Sequence, residues 1–131
     1  MEDSKLRAEA SDFFDAFVSA FQSFDGTEIA RRYAVPYAAL HADGSVECFE
    51  SPHAIAAYLQ RVVDSYREKG CRSCRFCDLE VLPLGQQCTL ATVNWELLDE
   101  RGKVLRAWRE SYSLRHVGSS LQIFASVDHA R

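Results

Sequence analysis

The sequence predicts an α+β fold: three helices in the N-terminal half packed on a strongly curved, mixed or antiparallel sheet of about six strands. The expected shape is a half-open cone with an internal pocket. Three observations predict it. Apolar residues recur at steps of three and four in two stretches of the N-terminal half. After Gly70 the period changes from about 3.6 to about 2 and keeps that value to the end of the chain. Short links then join long strands, which implies an antiparallel meander. With 131 residues and no linker, repeat or low-complexity tract, the chain reads as one domain spanning residues 1–131.

Each element has its own signal. Over residues 6–24, Leu6, Ala10, Phe13, Phe14, Phe17, Val18, Phe21 and Phe24 make one broad apolar stripe, the pattern of a helix facing a core. Asp25-Gly26 ends this helix, with Gly26 expected as a left-handed cap. Thr27 is expected to cap a short second helix through Tyr33, stopped by Val35-Pro36. Residues 37–41 and 45–50 flank Asp43-Gly44, a strong hairpin signal. Ser51-Pro52 then reads as an N-cap followed by a proline at the first helical position, and Ile55, Tyr58, Leu59, Val62, Val63 and Tyr66 carry an apolar face to Gly70. Strands follow over about 71–83, 87–98, 103–116 and 120–129, broken at Leu84-Gly85-Gln86, Asp99 to Gly102, and Val117-Gly118-Ser119. A sheet of this length must curl and can bury only one face on three helices. The pocket is therefore expected between the first helix, the third helix and the concave sheet face.

Composition excludes several classes. The net charge of −4 and the scattered arginines leave no basic stripe for a nucleic acid or an anionic membrane. No apolar run approaches the roughly 18 residues of a membrane span, and the acidic, polar start carries no signal-peptide core, so a cytoplasmic location is the default. Five cysteines, an odd number, fit free thiols in a reducing compartment better than a disulfide framework. Cys71, Cys74 and Cys77 have the C-x2-C-x2-C spacing of an iron–sulfur or zinc run. On a strand rising about 3.3 Å per residue, however, successive members lie about 10 Å apart and Cys74 faces the other way. That is too far for a disulfide or one shared ion, unless the chain loops between Cys71 and Cys74 after Gly70. The expectation is no metal, no disulfide, and one or two thiols exposed to oxidation. Esterase, nucleotide-binding and zinc-protease motifs are absent, and His53, His116 and His129 show no metal-ligand spacing, so no cofactor is expected.

The candidate chemistry lies on two strands. His41 shares a face with Tyr37 and Ala39, and imidazole titrates near neutral pH, which suits a general acid or base. It equally fits an exposed hairpin residue bonded to backbone. Further along the chain, Trp108, Glu110, Tyr112 and Leu114 form the more apolar face of their strand. That places Glu110 on a mostly apolar surface, where a carboxylate either pairs with a cation such as Arg106 or has its pKa raised. His41 and Glu110 are thus the candidate catalytic pair. Ala91, Val93, Trp95 and Leu97 give the matching concave face of the neighbouring strand. Phe14, Phe17, Tyr33, Tyr37, Tyr58, Trp95, Trp108 and Tyr112 are the expected pocket lining, suited to a small apolar or aromatic ligand. The opposite face, with Leu90, Thr92, Leu105, Ala107 and Ser111, is apolar enough for a partner.

Four stretches together resemble one known family. They are "SFDGTEIARRYAVPYAALHADG", "ESPHAIAAYLQRV", "LEVLPLGQQCTLATVNWEL" and "ESYSLRHVGSSLQIFASVDHA". They are similar, respectively, to the opening, the loop into the third helix, the strand–Leu-Gly–strand hairpin and the closing hairpin of the nuclear transport factor 2-like superfamily. Its members include ketosteroid isomerase-like and SnoaL-like polyketide cyclase-like proteins. The resemblance covers nearly the whole chain and implies the cystatin-like α+β cone, with homodimerisation through the outer sheet face. The fold hosts isomerases, dehydratases, cyclases and non-catalytic binding modules. Carried over by position, the helical tyrosine that serves ketosteroid isomerase-like members as oxyanion donor falls on or near Phe17, which has no donor. Their catalytic aspartate falls on or near His41. A histidine would therefore replace the carboxylate base, and a literal ketosteroid isomerase is not implied. Asp128-His129 resembles the family's ending, with a structural or mouth-of-cone role expected there. Two functions remain open: a proton-transfer enzyme acting on a small, largely apolar substrate, and a non-catalytic ligand-binding or dimerisation module.

Overall fold

The computed structural model of the protein describes residues 2–130, with side chains from Ser4 onward. The chain order is α1 (Glu2–Phe21), α2 (Gly26–Ala30), β1 (Tyr33–Leu40), β2 (Val46–Phe49), α3 (Pro52–Glu68), β3 (Ser73–Pro83), β4 (Cys88–Leu98), β5 (Val104–Val117) and β6 (Ser120–Asp128). One six-stranded sheet runs β2-β1-β6-β5-β4-β3 and does not close. All its neighbours are antiparallel except β1 and β6, which run parallel, so the sheet is mixed. The α1 helix packs against β3, and α3 packs against α2, β1 and β2. This is the expected three-helix, six-strand α+β architecture.

Aromatic rings dominate the core. Phe14 is fully buried, with ring centroids of Phe13, Phe76, Tyr112 and Trp95 between 5.2 and 6.1 Å away. Removing such a ring from a core costs about 3–5 kcal/mol. The inward faces expected on β4 and β5 are the observed ones: Ala91, Val93, Trp95, Leu97, Tyr112 and Leu114 are all buried. The outer face is more polar than its sequence suggests. Thr92 and Ser111 share a 2.7 Å hydroxyl contact, His129 reaches Ser111 at 2.8 Å, and Arg109 pairs with Glu80. Leu105 and Ala107 are exposed on that face.

Several local expectations change. The cap of α2 is Asp25, whose carboxylate accepts from Thr27 N–H at 3.0 Å, rather than Thr27. The left-handed residue after α1 is Phe24, with φ 54°, rather than Gly26. Gly26 is needed for space instead: a Cβ there would lie 2.4 Å from the Ala56 carbonyl oxygen and 2.8 Å from Gln60 N. Gln60 fixes the approach by accepting from Gly26 N–H at 2.7 Å and donating to the Phe24 carbonyl at 3.0 Å. The α2 helix ends at Ala30, and β1 begins at Tyr33 and runs through Pro36. Proline is tolerated there because the β1–β6 ladder is interrupted between Tyr33 and Ala38, so its missing N–H breaks no bond.

Cys71 lies before β3, in the turn closed by its N–H on the Tyr66 carbonyl at 3.1 Å, so the expected strand start at residue 71 moves to Ser73. All five cysteines are free, and no group able to hold a metal occurs among the described residues. Burial raises the Cys71 thiol pKa, and that of Cys74 to about 12. No helix among the described residues is long and apolar enough to cross a membrane.

Two measurements check this packing. Gly26→Ala is expected to destabilise the protein by about 2–3 kcal/mol in urea denaturation, since backbone must shift to admit the methyl group. Gly85→Ala, which meets nothing within 4 Å, should change stability little. With an aromatic disulfide reagent, exposed Cys48 and Cys77 should react promptly, while buried Cys71 and Cys74 should react only on unfolding.

Candidate functional site

The curl of the sheet leaves a cavity of about 550 Å³ between the concave face, α3 and the second half of α1. Its size is that of sites for small organic ligands. Phe17, Tyr33, Tyr37, Tyr58, Trp95, Trp108 and Tyr112 line it. Phe14 does not: it lies one layer behind, wholly enclosed by other rings, because α1 presses that face directly onto β3. A chain of ring contacts, with Phe49 behind the lining, supports this surface. Tyr33 and Tyr37 centroids are 4.7 Å apart, Tyr37 stacks on Phe49 at 5.7 Å, and Phe49 meets Tyr58 at 4.7 Å.

Polar groups converge on this apolar surface from five strands and the β1–β2 turn. The Trp95 indole N–H donates to the Tyr112 hydroxyl at 2.8 Å, which leaves that hydroxyl's own hydrogen for the Glu110 carboxyl. The Trp108 indole N–H donates to Glu110 Oε1 at 2.9 Å. Across the ladder, Glu110 pairs in register with Asp128, so both carboxyls point to the concave side. Tyr37 and Ser126 hydroxyls meet at 2.6 Å. His41 closes the β1–β2 hairpin with its N–H on the Ser45 carbonyl, and its side chain turns to the cavity wall. There Nε2 lies 2.9 Å from Glu47 Oε1, and Nδ1 lies 4.0 Å from Asp128 Oδ2.

Burial is the main reason the Glu110 carboxyl is pushed up to about 8, and the Asp128 charge adds to it. The hydrogen bonds from Trp108 and Tyr112 pull the other way without cancelling the shift. Glu110 is therefore largely a neutral acid at pH 7, with the Asp128 carboxyl beside it. Burial also raises the pKa of Tyr33, Tyr37, Tyr58 and Tyr112 well above the ordinary value, and that of Tyr66 to about 12. These phenols are donors near neutrality and not bases.

The structure brings His41 and Glu110 to one cavity but does not pair them directly; Asp128 stands between. Nor does Glu110 pair with Arg106, whose guanidinium lies against Trp108 and Tyr66 instead. Sequence reasoning put Asp128 at the mouth and missed Glu47. The Glu47 signal was present, because the Asp43-Gly44 turn sets Glu47 opposite Ala39 and hence on the same face. No cluster among the described residues fits a metal.

A family model described as NTF2-like protein (DUF6841) matches residues 8–131. No curated protein matches the sequence. Among solved structures, the chain is similar to Aln2 from a Streptomyces species, with 18% identity, TM-score 0.77, and 96% of this chain and 91% of that one covered. It is also similar to an NTF2-like protein with a cystatin-like fold from Novosphingobium aromaticivorans, with 12% identity, TM-score 0.73, and 95% and 80% covered. A third, from Streptomyces avermitilis, is described as a candidate dehydratase of the NTF2-like family, with 12% identity, TM-score 0.71, and 100% and 99% covered. At these identities the likeness establishes the fold.

The raised carboxyl has a measurable consequence for stability. Between about pH 4.5 and about pH 8, folded Glu110 holds a proton that the unfolded chain has released. Its contribution to stability therefore falls as pH rises through that window. In urea denaturation across the window, Glu110→Gln should lack this decline, by up to one proton's slope relative to the unsubstituted protein.

Proposed function

The chain belongs to the NTF2-like protein (DUF6841) family, and from that premise and the contents of its cavity we propose that it is an enzyme transferring a proton on a small, largely apolar substrate. Isomerisation, cyclisation and dehydration are the reaction types in reach. The observation that carries the reading is a histidine and a neutral carboxyl flanking one aromatic cavity.

The roles follow from the contacts. The short contact between His41 Nε2 and the Glu47 carboxylate assigns the ring proton of neutral imidazole to Nε2. Nδ1 then keeps its lone pair, with Asp128 close enough to stabilise the imidazolium that forms but too far for a hydrogen bond. Nδ1 takes a proton from carbon next to a carbonyl, and the C–H electron pair moves into a new C=C bond. Negative charge develops on the carbonyl oxygen, and the Glu110 O–H, backed by Tyr112, donates to it. Returning the proton at a second carbon completes an isomerisation. Loss of a β-hydroxyl as water, with the proton supplied by His41, completes a dehydration. The described neighbour from Streptomyces avermitilis accords with the latter type, although that description concerns the other protein. The same reading keeps the outer sheet face, where Leu105 and Ala107 are exposed, as a surface for a second copy of the chain.

The test needs no knowledge of the natural substrate. Cyclic and aromatic ketones are incubated with the protein in D2O, and exchange of their α-hydrogens is followed by NMR. Acceleration by the unsubstituted protein should fall by about a hundredfold or more in His41→Ala and in Glu110→Ala, with circular dichroism unchanged. Exchange that survives His41→Ala would remove His41 as the base, and ligands that bind without any exchange would instead support a non-catalytic binding module.

A further inference from the structure

Arg106 begins the row of concave-face side chains that continues along β5 through Trp108, Glu110 and Tyr112. Its guanidinium carbon lies 5.1 Å from the Trp108 ring centroid and 5.9 Å from that of Tyr66. A guanidinium held against rings by its flat face keeps the N–H edge available for an in-plane partner. No carboxylate takes that edge. Among the described residues, none of the ion pairs involves Arg106 or Arg61, the second arginine of the lining, which comes from α3.

The carboxyls of the lining are elsewhere and already engaged. Glu47 binds His41, and Glu110 is held by Trp108, Tyr112 and Asp128. Four residues of strand separate Arg106 from Glu110, a span of about 13 Å. The lining thus carries two arginines with no ion-pair partner among the described residues, Arg106 against Trp108 and Tyr66 on β5 and Arg61 on α3, with aromatic surface beside them.

We propose that the ligand of this cavity is a small organic acid. Its apolar or aromatic body lies along Trp108 and Tyr66, and its single carboxylate is bound in the plane of the Arg106 guanidinium, with Arg61 alongside. The inference rests on reading the cavity as a ligand site, and it names the substrate class. A carboxylate fits better than a phosphate. Tyr66 belongs to the last turn of α3, where the helix presents carbonyl oxygens and its negative dipole end, and phosphate sites commonly draw on helix N-terminal N–H groups. The ring-backed guanidinium suits the two coplanar oxygens of a monoanion.

The test compares cinnamate with cinnamamide, which share a planar body and differ in charge, by isothermal calorimetry. The unsubstituted protein should bind cinnamate about tenfold or more tightly than cinnamamide. Arg106→Gln should abolish that preference while leaving cinnamamide affinity unchanged, and Arg61→Gln should reduce it. Equal affinities in the unsubstituted protein, a preference that survives in the Arg106→Gln, Arg61→Gln double variant, or no binding of either compound would each overturn the inference. Failure here is separable from failure of the proton-transfer reading. A protein that selects cinnamate yet exchanges no proton on any ketone keeps the acid site and loses the chemistry. One that exchanges protons on neutral ketones without preferring cinnamate does the reverse.

Discussion

The register of β6 is the constraint on which both halves of this molecule depend. The strand bonds β5 on one side, antiparallel, and β1 on the other, parallel, and so joins the C-terminal meander to the N-terminal hairpin. From the turn at Val117–Ser120 the pairing advances regularly to Leu114 opposite Ile123, then skips to Ser113 opposite Ala125, with Phe124 as the extra residue. Beyond that bulge every side chain of β6 has exchanged faces relative to an unbroken ladder. Ser126 and Asp128 are thereby turned to the concave side, against Tyr112 and Glu110. Without the bulge Val127 would stand opposite Glu110, and the buried carboxyl would have lost its acidic neighbour.

That neighbour shapes the electrostatics of the cavity. A lone carboxylate on an aromatic surface is already disfavoured by desolvation, and a second acid beside it makes ionising both harder still. Burial, with the strand pairing that sets Asp128 beside it, therefore favours the neutral form of Glu110. His41 sits across Asp128 from it, with Glu47 binding the far nitrogen. Hydrogen-bond donors and a proton acceptor are thus separated along one wall, while Arg106 lies against Trp108 and Tyr66. Arg106 and Glu110 meet different parts of one side chain, the guanidinium over the Trp108 ring and the carboxyl at its indole N–H. A substrate long enough to reach both would be oriented by its own charge before any chemistry begins.

Much of this was legible in the residues. Four phenylalanines of the first helix, the Ser51-Pro52 start of the third, and the alternation in "WRESYSL" read correctly as core-facing helix, helix and sheet face, while the fifth phenylalanine of the stripe, Phe24, lies past the helix end. The inward face of Glu110 follows from that alternation alone. What stayed hidden depends on contacts distant in sequence. Gly26 looks like a helix stop, and only the approach of α3 shows that a side chain would collide there. Phe14 belongs to the same stripe as Phe17, and only the docking of α1 on β3 separates core from lining. The inward direction of Asp128 was not legible from the strand pattern, because a single unpaired residue at Phe124 reverses it and leaves no mark in an alternation read by eye. The C-x2-C-x2-C spacing divides between environments, since Cys71 and Cys74 pack into the core and Cys77 faces solvent.

The central claim is that the fold holds Glu110 as a neutral acid inside the cavity. The most direct measurement is the titration of its side-chain carboxyl by carbon-13 NMR, with labelled glutamate and the resonance assigned by its loss in Glu110→Gln. The account predicts a midpoint near 8. A midpoint near the ordinary value of about 4.3 would contradict it, because an ionised Glu110 has no proton to donate.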